Sequence, residues 1–369
     1  MKMEINFSEL KKAVSLSEKI SGKHMTLPVL SCFLFVVKKN NTIIKATNLD
    51  LGIEVTVPVR SDSETVFAVP ASILSSFLSQ VVEYDGTVKI ESISNNIQIT
   101  TKNSKGVIKT VPHEDFPNIP NLDGDQKTSI PPDLLVKGLK SVWYSASVSS
   151  IKPELSSVYL YTNGDKLVFV STDSFRLAEK KVQLPGNLKI NDILLPLKNV
   201  ADVVRTLEAI GENITITVGK NLISFEVDGK LRLVSRIIDG VFPDYKQIIP
   251  KTYIAEAVVL KHDFFNALKV SNIFSDKFNQ VHFSIDPKTK VFEIETRNND
   301  IGENKTTVDA KIDGEKMEIN FNYKYIIDCF QSIDSDSVSL QLGGPNRPMV
   351  IKPVSGDQSF LYLAMPMNR

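Results

Sequence analysis

The 369-residue sequence contains only two cysteines, one tryptophan and four histidines, and its 43 Lys and Arg are balanced by 43 Asp and Glu. Cys32 and Cys329 both stand in apolar surroundings, so we interpret them as buried thiols rather than a disulfide framework or a metal site. None of three successive thirds of the chain is strongly basic. This balance excludes a histone-like protein, and a nucleic-acid partner would require a local cluster of cations.

Long apolar runs are also absent. The longest one, Leu27 to Val37, is interrupted by Pro28 and Ser31. It is too short to cross a bilayer, which requires about 20 residues. The first ten residues, MKMEINFSEL, carry acidic side chains where a signal peptide would have its apolar region. We therefore expect a cytoplasmic protein with no membrane partner.

The residue patterns of known catalytic sites are missing as well. There is no phosphate-binding glycine loop, no pair of cysteines at zinc spacing and no nucleophile elbow. His24, His113, His262 and His282 are scattered without a common position. We therefore predict a protein that is not an enzyme and that has no cofactor and no metal.

The sequence does contain an internal repeat. One mark is a predicted strand followed by a helix, at Pro70, Pro196 and Asn322, with 126 residues between successive marks. A polar strand end recurs every 125 residues, at Thr47, Thr172 and Arg297. The third mark closes each unit, at Pro117, Pro243 and Pro366.

Three marks with one period predict three diverged copies of one unit, at residues 1–126, 127–252 and 253–369. Apolar spacing predicts an amphipathic helix that opens each copy: after Ser8 as its cap in the first, over Leu134–Ala146 in the second and over Asp263–Phe274 in the third. Second helices are predicted to start at Pro70, Pro196 and Asn322. Alternating segments such as Ile214–Val218 and Leu222–Val227 predict strands. The predicted fold class is α+β, with two helices packed on antiparallel sheet in each copy.

Five segments carry a resemblance to a known family: Thr26–Leu30, Phe116–Asn118, Thr172–Ala178, Asp239–Tyr245 and the closing Ala364–Arg369. Together with the length and the threefold repeat, they resemble the bacterial DNA polymerase III beta subunit, the replicative sliding clamp. The resemblance implies three DNA-clamp domains per chain and a head-to-tail homodimeric ring around duplex DNA, bound without sequence specificity. It further implies that the ring tethers DNA polymerase III through the alpha subunit, is placed on DNA by a clamp-loader complex, and binds other proteins with a clamp-binding motif.

The sequence departs from the family pattern in a few positions. Phe175 stands where the family commonly has His, and Asn368 interrupts the usual Met-Pro-Met-Arg tail. Both changes lie in segments that the resemblance assigns to a pocket for client peptides. The residues carried over to that pocket by position are Leu155, Thr172, Ser174, Phe175, Arg176, Leu177, Pro243, Ile248, Leu363, Met365, Pro366 and Met367. The alternative is that the leucines and Ile248 belong to domain cores.

Two further surfaces follow from the resemblance. The residues expected to face DNA are Lys11, Lys12, Lys19, Lys23, His24, Lys137, Lys140, Lys152, Lys198, Arg205, Lys261 and Lys269. The alternative is that these cations only keep exposed helices soluble. The residues expected at the dimer interface are Ile73, Ser76, Phe77, Gly106, Ile108, Ile273 and Phe274.

A size estimate also favours two chains if the repeats encircle DNA. A unit of this length has a diameter of roughly 35 Å, and a ring of six such units leaves a hole of about 35 Å, wide enough for a duplex. The competing interpretation is a monomeric, repeat-built scaffold that binds proteins or glycans.

Overall fold

The computed structural model describes residues 1–22, 27–82, 86–122, 127–186 and 190–367. Their contacts divide the chain into two compact units. The first unit contains Met1–Asp133 and Ala201–Ile237, and the second contains Leu134–Val200 and Ile238–Arg369. The second repeat therefore contributes residues to both units.

The first repeat contains two helices, α1 (Phe7–Glu18) and α2 (Ala71–Gln80). Its strands are β1 (Lys2–Asn6), β2 (Cys32–Val37), β3 (Asn41–Thr47), β4 (Leu51–Ser61), β5 (Thr65–Pro70), β6 (Thr87–Ile93), β7 (Asn96–Thr100) and β8 (Lys105–Lys109).

The second repeat has the same order of elements, with helices α3 (Pro132–Val142) and α4 (Leu197–Glu208). Its strands are β9 (Lys127–Ile130), β10 (Ser157–Asn163), β11 (Lys166–Thr172), β12 (Arg176–Gln183), β13 (Ile193–Pro196), β14 (Ile214–Val218), β15 (Leu222–Val227) and β16 (Leu231–Arg236).

The third repeat differs in one respect: it has two separate strands, Gly302–Val308 and Ala310–Gly314, at the position where the first repeat has the single long strand β4. Its helices are α5 (Lys261–Ile273) and α6 (Tyr323–Asp328). Its strands are β17 (Ala255–Leu260), β18 (Gln280–Asp286), β19 (Val291–Asn298), β20 (Gly302–Val308), β21 (Ala310–Gly314), β22 (Met317–Asn322), β23 (Ser337–Leu342), β24 (Met349–Pro353) and β25 (Phe360–Ala364).

Antiparallel strands form the sheets of both units, and the expected α+β class is confirmed. The first unit contains a sheet of 12 strands, in which β1, β4, β16, β15, β14 and β9 follow one another. The second unit contains a sheet of nine strands, which includes the neighbours β11, β12, β25 and β24, and a sheet of four strands in the order β20, β19, β18, β22. Strand β18 buries every second residue, as expected for a strand with one face on a core.

Helix boundaries differ slightly from those expected. The cap of α1 is Asn6, whose Oδ1 accepts a hydrogen bond from the Glu9 N–H at 3.1 Å, and Ser8 lies inside the helix. The prediction that Ser8 caps the helix is wrong because Phe7, which is fully buried, already has helical geometry. The second helices begin one residue after the predicted Pro70, Pro196 and Asn322.

One glycine sets how closely a helix approaches its sheet. A Cβ placed on Gly138 of α3 would lie 2.1 Å from the ring of Phe169 in β11. Because only glycine leaves room for this ring, α3 can pack directly on the sheet that carries the second unit's candidate site. The two cysteines, Cys32 and Cys329, are free and buried, as the sequence predicted.

Candidate functional site

The turn between β11 and β12 is held by its own side chains. The Thr172 hydroxyl donates to the Arg176 carbonyl at 2.6 Å and accepts from the Ser174 N–H at 3.2 Å. One Asp173 oxygen accepts from the N–H groups of Phe175 and Arg176 at 2.9 and 3.0 Å. These bonds hold Ser174 at a φ of 78° and leave Phe175 59% exposed. Five members of the predicted peptide pocket, Thr172, Ser174, Phe175, Arg176 and Leu177, therefore lie in or directly beside one turn.

The side chain of Arg176 connects this turn to the third repeat. Its Nε donates to Asp173 at 3.0 Å, and its Nη1 donates to Asp328 at 2.5 Å. The guanidinium carbon lies 4.7 Å from the centroid of the Tyr325 ring, on which the Phe175 ring also stacks at 6.4 Å. Only 13% of the Arg176 side chain is exposed. The sequence analysis did not identify Asp328 and Tyr325, because no local pattern links residues that are about 150 positions from Arg176 along the chain.

The C-terminal segment passes between the 172–177 turn and β22 of the second unit. The Met365 N–H donates to the Phe175 carbonyl at 2.8 Å, and the Met367 N–H donates to the carbonyl of Asn320 in β22 at 2.8 Å. Residues 368–369 lie outside the described part of the chain. The tail is thus fixed by backbone bonds on both sides, while its two methionine side chains and Pro366 stay partly exposed.

An apolar layer supports the turn and the tail. Leu177 and Leu363 pair across β12 and β25 and share a buried cluster with Phe242 and Tyr245. The Tyr245 hydroxyl donates to Glu179 at 2.5 Å. Burial, followed by the bond to this carboxylate, raises the pKa of Tyr245. The buried Tyr245 hydroxyl in this layer is therefore paired, with Glu179 and with the Tyr161 hydroxyl at 2.8 Å.

The structure places the twelve predicted pocket residues as follows. Strand pairing brings the 172–177 turn against residues 363–367, and Pro243 follows the buried Phe242. Leu155 precedes β10, and Ile248 ends the short helix Tyr245–Ile248. Buried members are Leu155, Thr172, Leu177 and Leu363; partly buried members are Arg176, Met365, Pro366 and Met367; exposed members are Ser174, Phe175, Pro243 and Ile248.

A second ionic group lies further along β12. Lys180 is only 2% exposed, and its ammonium donates to Asp357 at 2.8 Å, while Lys137 of α3 donates to the same carboxylate oxygen at 2.7 Å. Burial alone would raise the pKa of Asp357, but the two lysines hold it well below its usual range. Burial also lowers the pKa of Lys180. One carboxylate of the third repeat thus joins two lysines of the second.

The cations expected to face DNA lie mainly on the helices. Lys23 and His24 lie outside the described residues, and Lys152 lies in the turn before β10. Exposed cations are Lys12, Lys19, Lys137, Lys140, Lys152, Lys198 and Lys269, and partly exposed ones are Lys11, Arg205 and Lys261.

Several of these cations already have contacts within the chain. Arg205 pairs with Asp202 one turn earlier at 2.8 Å, and Lys261 donates to the Ile333 carbonyl at 2.5 Å. Lys269 lies 4.3 Å from the centroid of the Phe265 ring. The pairs of Arg205 with Asp202 and of Lys137 with Asp357 each offset a positive charge, whereas the contacts of Lys261 and Lys269 restrict their side chains without neutralising them.

The residues expected at a dimer interface lie beside β8 in the first unit and β20 in the second, each of which ends the strand order of its sheet within the described residues. Ile73 and Ile273 are 54% and 63% exposed. Gly106 lies against the Phe77 ring, 3.2 Å from where a Cβ would stand. Ile108 is 6% exposed, so its side chain belongs to the core of its own repeat. Of the other two, Ser76 is exposed and Phe274 is partly buried.

A cavity of about 810 Å³ lies in the third repeat, between the start of α5 and the end of α6. Its walls include Leu260, Phe265, Phe330, Asp328 and Asp336. Within the described residues, no group of three or more His, Cys, Asp or Glu side chains could hold a metal ion. No helix of the described chain has both the length and the apolar character needed to cross a membrane.

Comparison with known families gives three successive matches along the chain. The DNA polymerase III beta subunit N-terminal domain matches residues 1–120, the central domain matches 129–244 and the C-terminal domain matches 246–368. The matched stretches cover nearly the whole chain and follow the order of the three repeats.

Individual relatives agree with this result. The beta sliding clamp of Synechocystis sp. is 26% identical over 392 aligned positions, which cover 100% of this chain and 99% of the relative. The beta sliding clamp of Staphylococcus aureus is 27% identical over 367 positions, covering 95% and 94%. The crystal structure of the Thermotoga maritima DNA polymerase III beta subunit has a TM-score of 0.93 at 26% identity, covering 100% of this chain and 99% of that one. The Pseudomonas aeruginosa subunit has a TM-score of 0.92 at 23% identity, covers both chains completely and supports the fold alone.

Proposed function

The chain belongs to the DNA polymerase III beta subunit family, the sliding clamps of DNA replication, and from this premise we propose that two copies close head to tail into a ring around duplex DNA. In this role the protein carries out no reaction itself. It acts in the cytoplasm, without a cofactor, and keeps DNA polymerase III and other DNA-processing enzymes on their template. The monomeric scaffold for proteins or glycans is not favoured, because the family match spans all three repeats.

The pairing of repeats inside the chain is the observation that supports a ring. Strand β16 of the second repeat pairs with β4 of the first, with Leu231 opposite Val55. Strand β25 of the third repeat pairs with β12 of the second in the same register, with Phe360 opposite Lys180. The counterpart of β16 and β25 in the first repeat is β8, and the counterpart of β4 and β12 in the third repeat is β20. Each of these two strands ends its sheet in the described part of the chain. Pairing β20 of one copy with β8 of another satisfies both edges and closes a symmetric assembly.

The dimer is tested by placing charge at the predicted contact. We expect the double variant Ile273→Asp, Phe274→Asp to sediment as a monomer, because buried charge without a partner opposes association. The matched control is Ile151→Asp, an 88% exposed isoleucine in a loop of the second repeat, which should remain dimeric. A dimer that survives the double change would exclude this interface.

Retention on DNA is expected to be topological. A clamp that slides must make few and weak phosphate contacts, so its affinity for linear DNA should be low and should fall as salt rises. Rings placed on nicked circular plasmid by the clamp loader should remain after gel filtration and leave when a restriction enzyme linearises the plasmid. Equal retention on the linear form would indicate ordinary tight binding and contradict the ring.

The second unit carries the proposed site for client peptides, formed by the 172–177 turn, the 365–367 tail and the apolar layer beneath them. Flexible methionine side chains suit a surface that accepts several related apolar sequences. We expect a fluorescent peptide from the C-terminus of the polymerase III alpha subunit to bind, and deletion of residues 365–369 to weaken it at least tenfold with the dimer intact. Unchanged polarisation after the deletion would remove the tail from the site.

A further inference from the structure

Arg176 makes contacts that a peptide-binding side chain would not be expected to make. Two of its three guanidinium nitrogens donate to Asp173 and Asp328, and its planar face lies against Tyr325. Ion-paired hydrogen bonds of this kind are strong and directional. A ligand carbonyl would have to compete with two carboxylates for the same donors.

The first repeat shows that the turn itself does not need an arginine. There Asn48 accepts from the N–H groups of Asp50 and Leu51 at 3.0 and 2.8 Å, and Leu49 has a φ of 75°. The Thr47 hydroxyl donates to the Leu51 carbonyl at 2.7 Å. The same turn therefore forms with leucine at the position of Arg176, so the guanidinium serves another purpose.

We propose that Arg176 is a positioning residue, which locks the Asp173–Phe175 turn of the second repeat to helix α6 of the third and so fixes the rim of the client-peptide pocket. This inference rests on the proposed pocket. Arg176 draws Asp328 and Tyr325 towards the turn, and Tyr325 in turn supports the exposed Phe175 ring. The client peptide is then recognised by apolar surface and by backbone groups rather than by the guanidinium.

Removing the carboxylate of Asp328 distinguishes this role from direct peptide binding, because the two roles predict opposite results. If Arg176 acts by position, Asp328→Asn releases α6 and should weaken the alpha-subunit peptide roughly three- to tenfold. If Arg176 binds the peptide directly, the same change frees a donor, and affinity should stay equal or rise. The matched control is Asp336→Asn, a second carboxylate beside the 810 Å³ cavity of the third repeat, which should leave affinity unchanged.

A double-mutant cycle completes the test. Arg176→Leu copies the first repeat, and we expect it to weaken the peptide roughly tenfold, with Asp328→Asn adding little in the double variant. Asp328→Glu, which keeps the carboxylate, should recover most of the affinity. Additive losses, or an Asp328→Asn variant that binds as tightly as the unaltered protein, would overturn the proposal. If the unaltered protein binds no client peptide, the proposed pocket itself fails, and this inference fails with it.

Discussion

The first and second repeats join through β4 and β16, and the second and third repeats join through β12 and β25 in the same strand register. The side chains at the two junctions differ in charge. At the first junction, β4 presents the buried Leu51 and Val55 on one face and Glu54 on the other, where Glu54 pairs with Arg232 at 2.8 Å. At the second junction the positions of Leu51 and Val55 are held by Arg176 and Lys180.

The second junction therefore has two further charges on the other face of the strand. Arg176 and Lys180 pair with Asp328 and Asp357 of the third repeat. Glu179, the counterpart of Glu54, accepts from the Tyr245 hydroxyl and pairs with Lys181 of its own strand at 2.8 Å, whereas Glu54 pairs with an arginine of the next repeat. On this face Glu179 stands opposite Leu361 of the third repeat, where Glu54 stands opposite Arg232 at the first junction, and the proposed peptide pocket lies on this face. The same strand register therefore forms an ion-paired junction between the first two repeats and the base of the proposed peptide pocket between the last two.

The largest expected effect comes from removing Asp357. Asp357→Ala leaves Lys180 buried without the carboxylate to which it is hydrogen-bonded, and breaking a buried pair in this way costs about 3 kcal/mol of unfolding free energy. Trp143, the one tryptophan of the sequence, lines the same cavity as Lys180 and Asp357, so its fluorescence in a urea titration reports this junction. A loss below about 1 kcal/mol would contradict a buried ionic contact here.

Converting the second junction to the chemistry of the first should reverse most of that loss. In the double variant Lys180→Val, Asp357→Ala, valine stands where the first junction has Val55, and no buried charge is left without a partner. Apolar replacement of a buried pair is often neutral or stabilising, so we expect recovery of about 2 kcal/mol relative to Asp357→Ala. The same urea titration checks this, and additive losses in the double variant would show that packing, not charge, governs the site.

A smaller effect is expected at the first junction. Arg232→Leu removes the pair with Glu54, but Glu54 keeps Lys45 at 2.8 Å. The free energy of unfolding should therefore fall by about 1 kcal/mol. Circular dichroism is the suitable measurement, because Trp143 belongs to the other unit. A loss as large as that of Asp357→Ala would remove the energetic difference between the junctions.

The smallest effect is a difference in acid sensitivity. The pKa of Asp357 is lower in the folded chain than its unfolded value of about 3.9, so its contribution is present above that pH and is lost as pH falls below it. We expect the melting temperature of Asp357→Asn to fall less between pH 5 and pH 3 than that of the unaltered protein. Parallel curves would show that Asp357 does not contribute to the acid response.

Local sequence patterns predicted much of the fold. The bounds of β14 and β15 agree with the predicted strands, because alternating apolar residues and turn residues act over a few positions. The recurring polar strand end proved to be a real turn: Asn48, Asp173 and Asn298 each accept from the N–H two residues later. Local sequence does not distinguish Ser8 from Asn6 as the cap of α1, because both residue types are suitable caps, and the burial of Phe7 within the helix decides for Asn6.

The sequence by itself determined the threefold repeat, the α+β class and the turns, since each depends on spacing that is short or strictly periodic. Only the tertiary structure decided which charges meet. Arg176 and Asp328 are 152 positions apart, and Lys180 and Asp357 are 177 apart. Their contact depends on the pairing of β12 with β25, and no property of either segment alone specifies the partner. These contacts affect stability because a buried charge is costly unless it is paired, and folding brings each buried cation to its carboxylate.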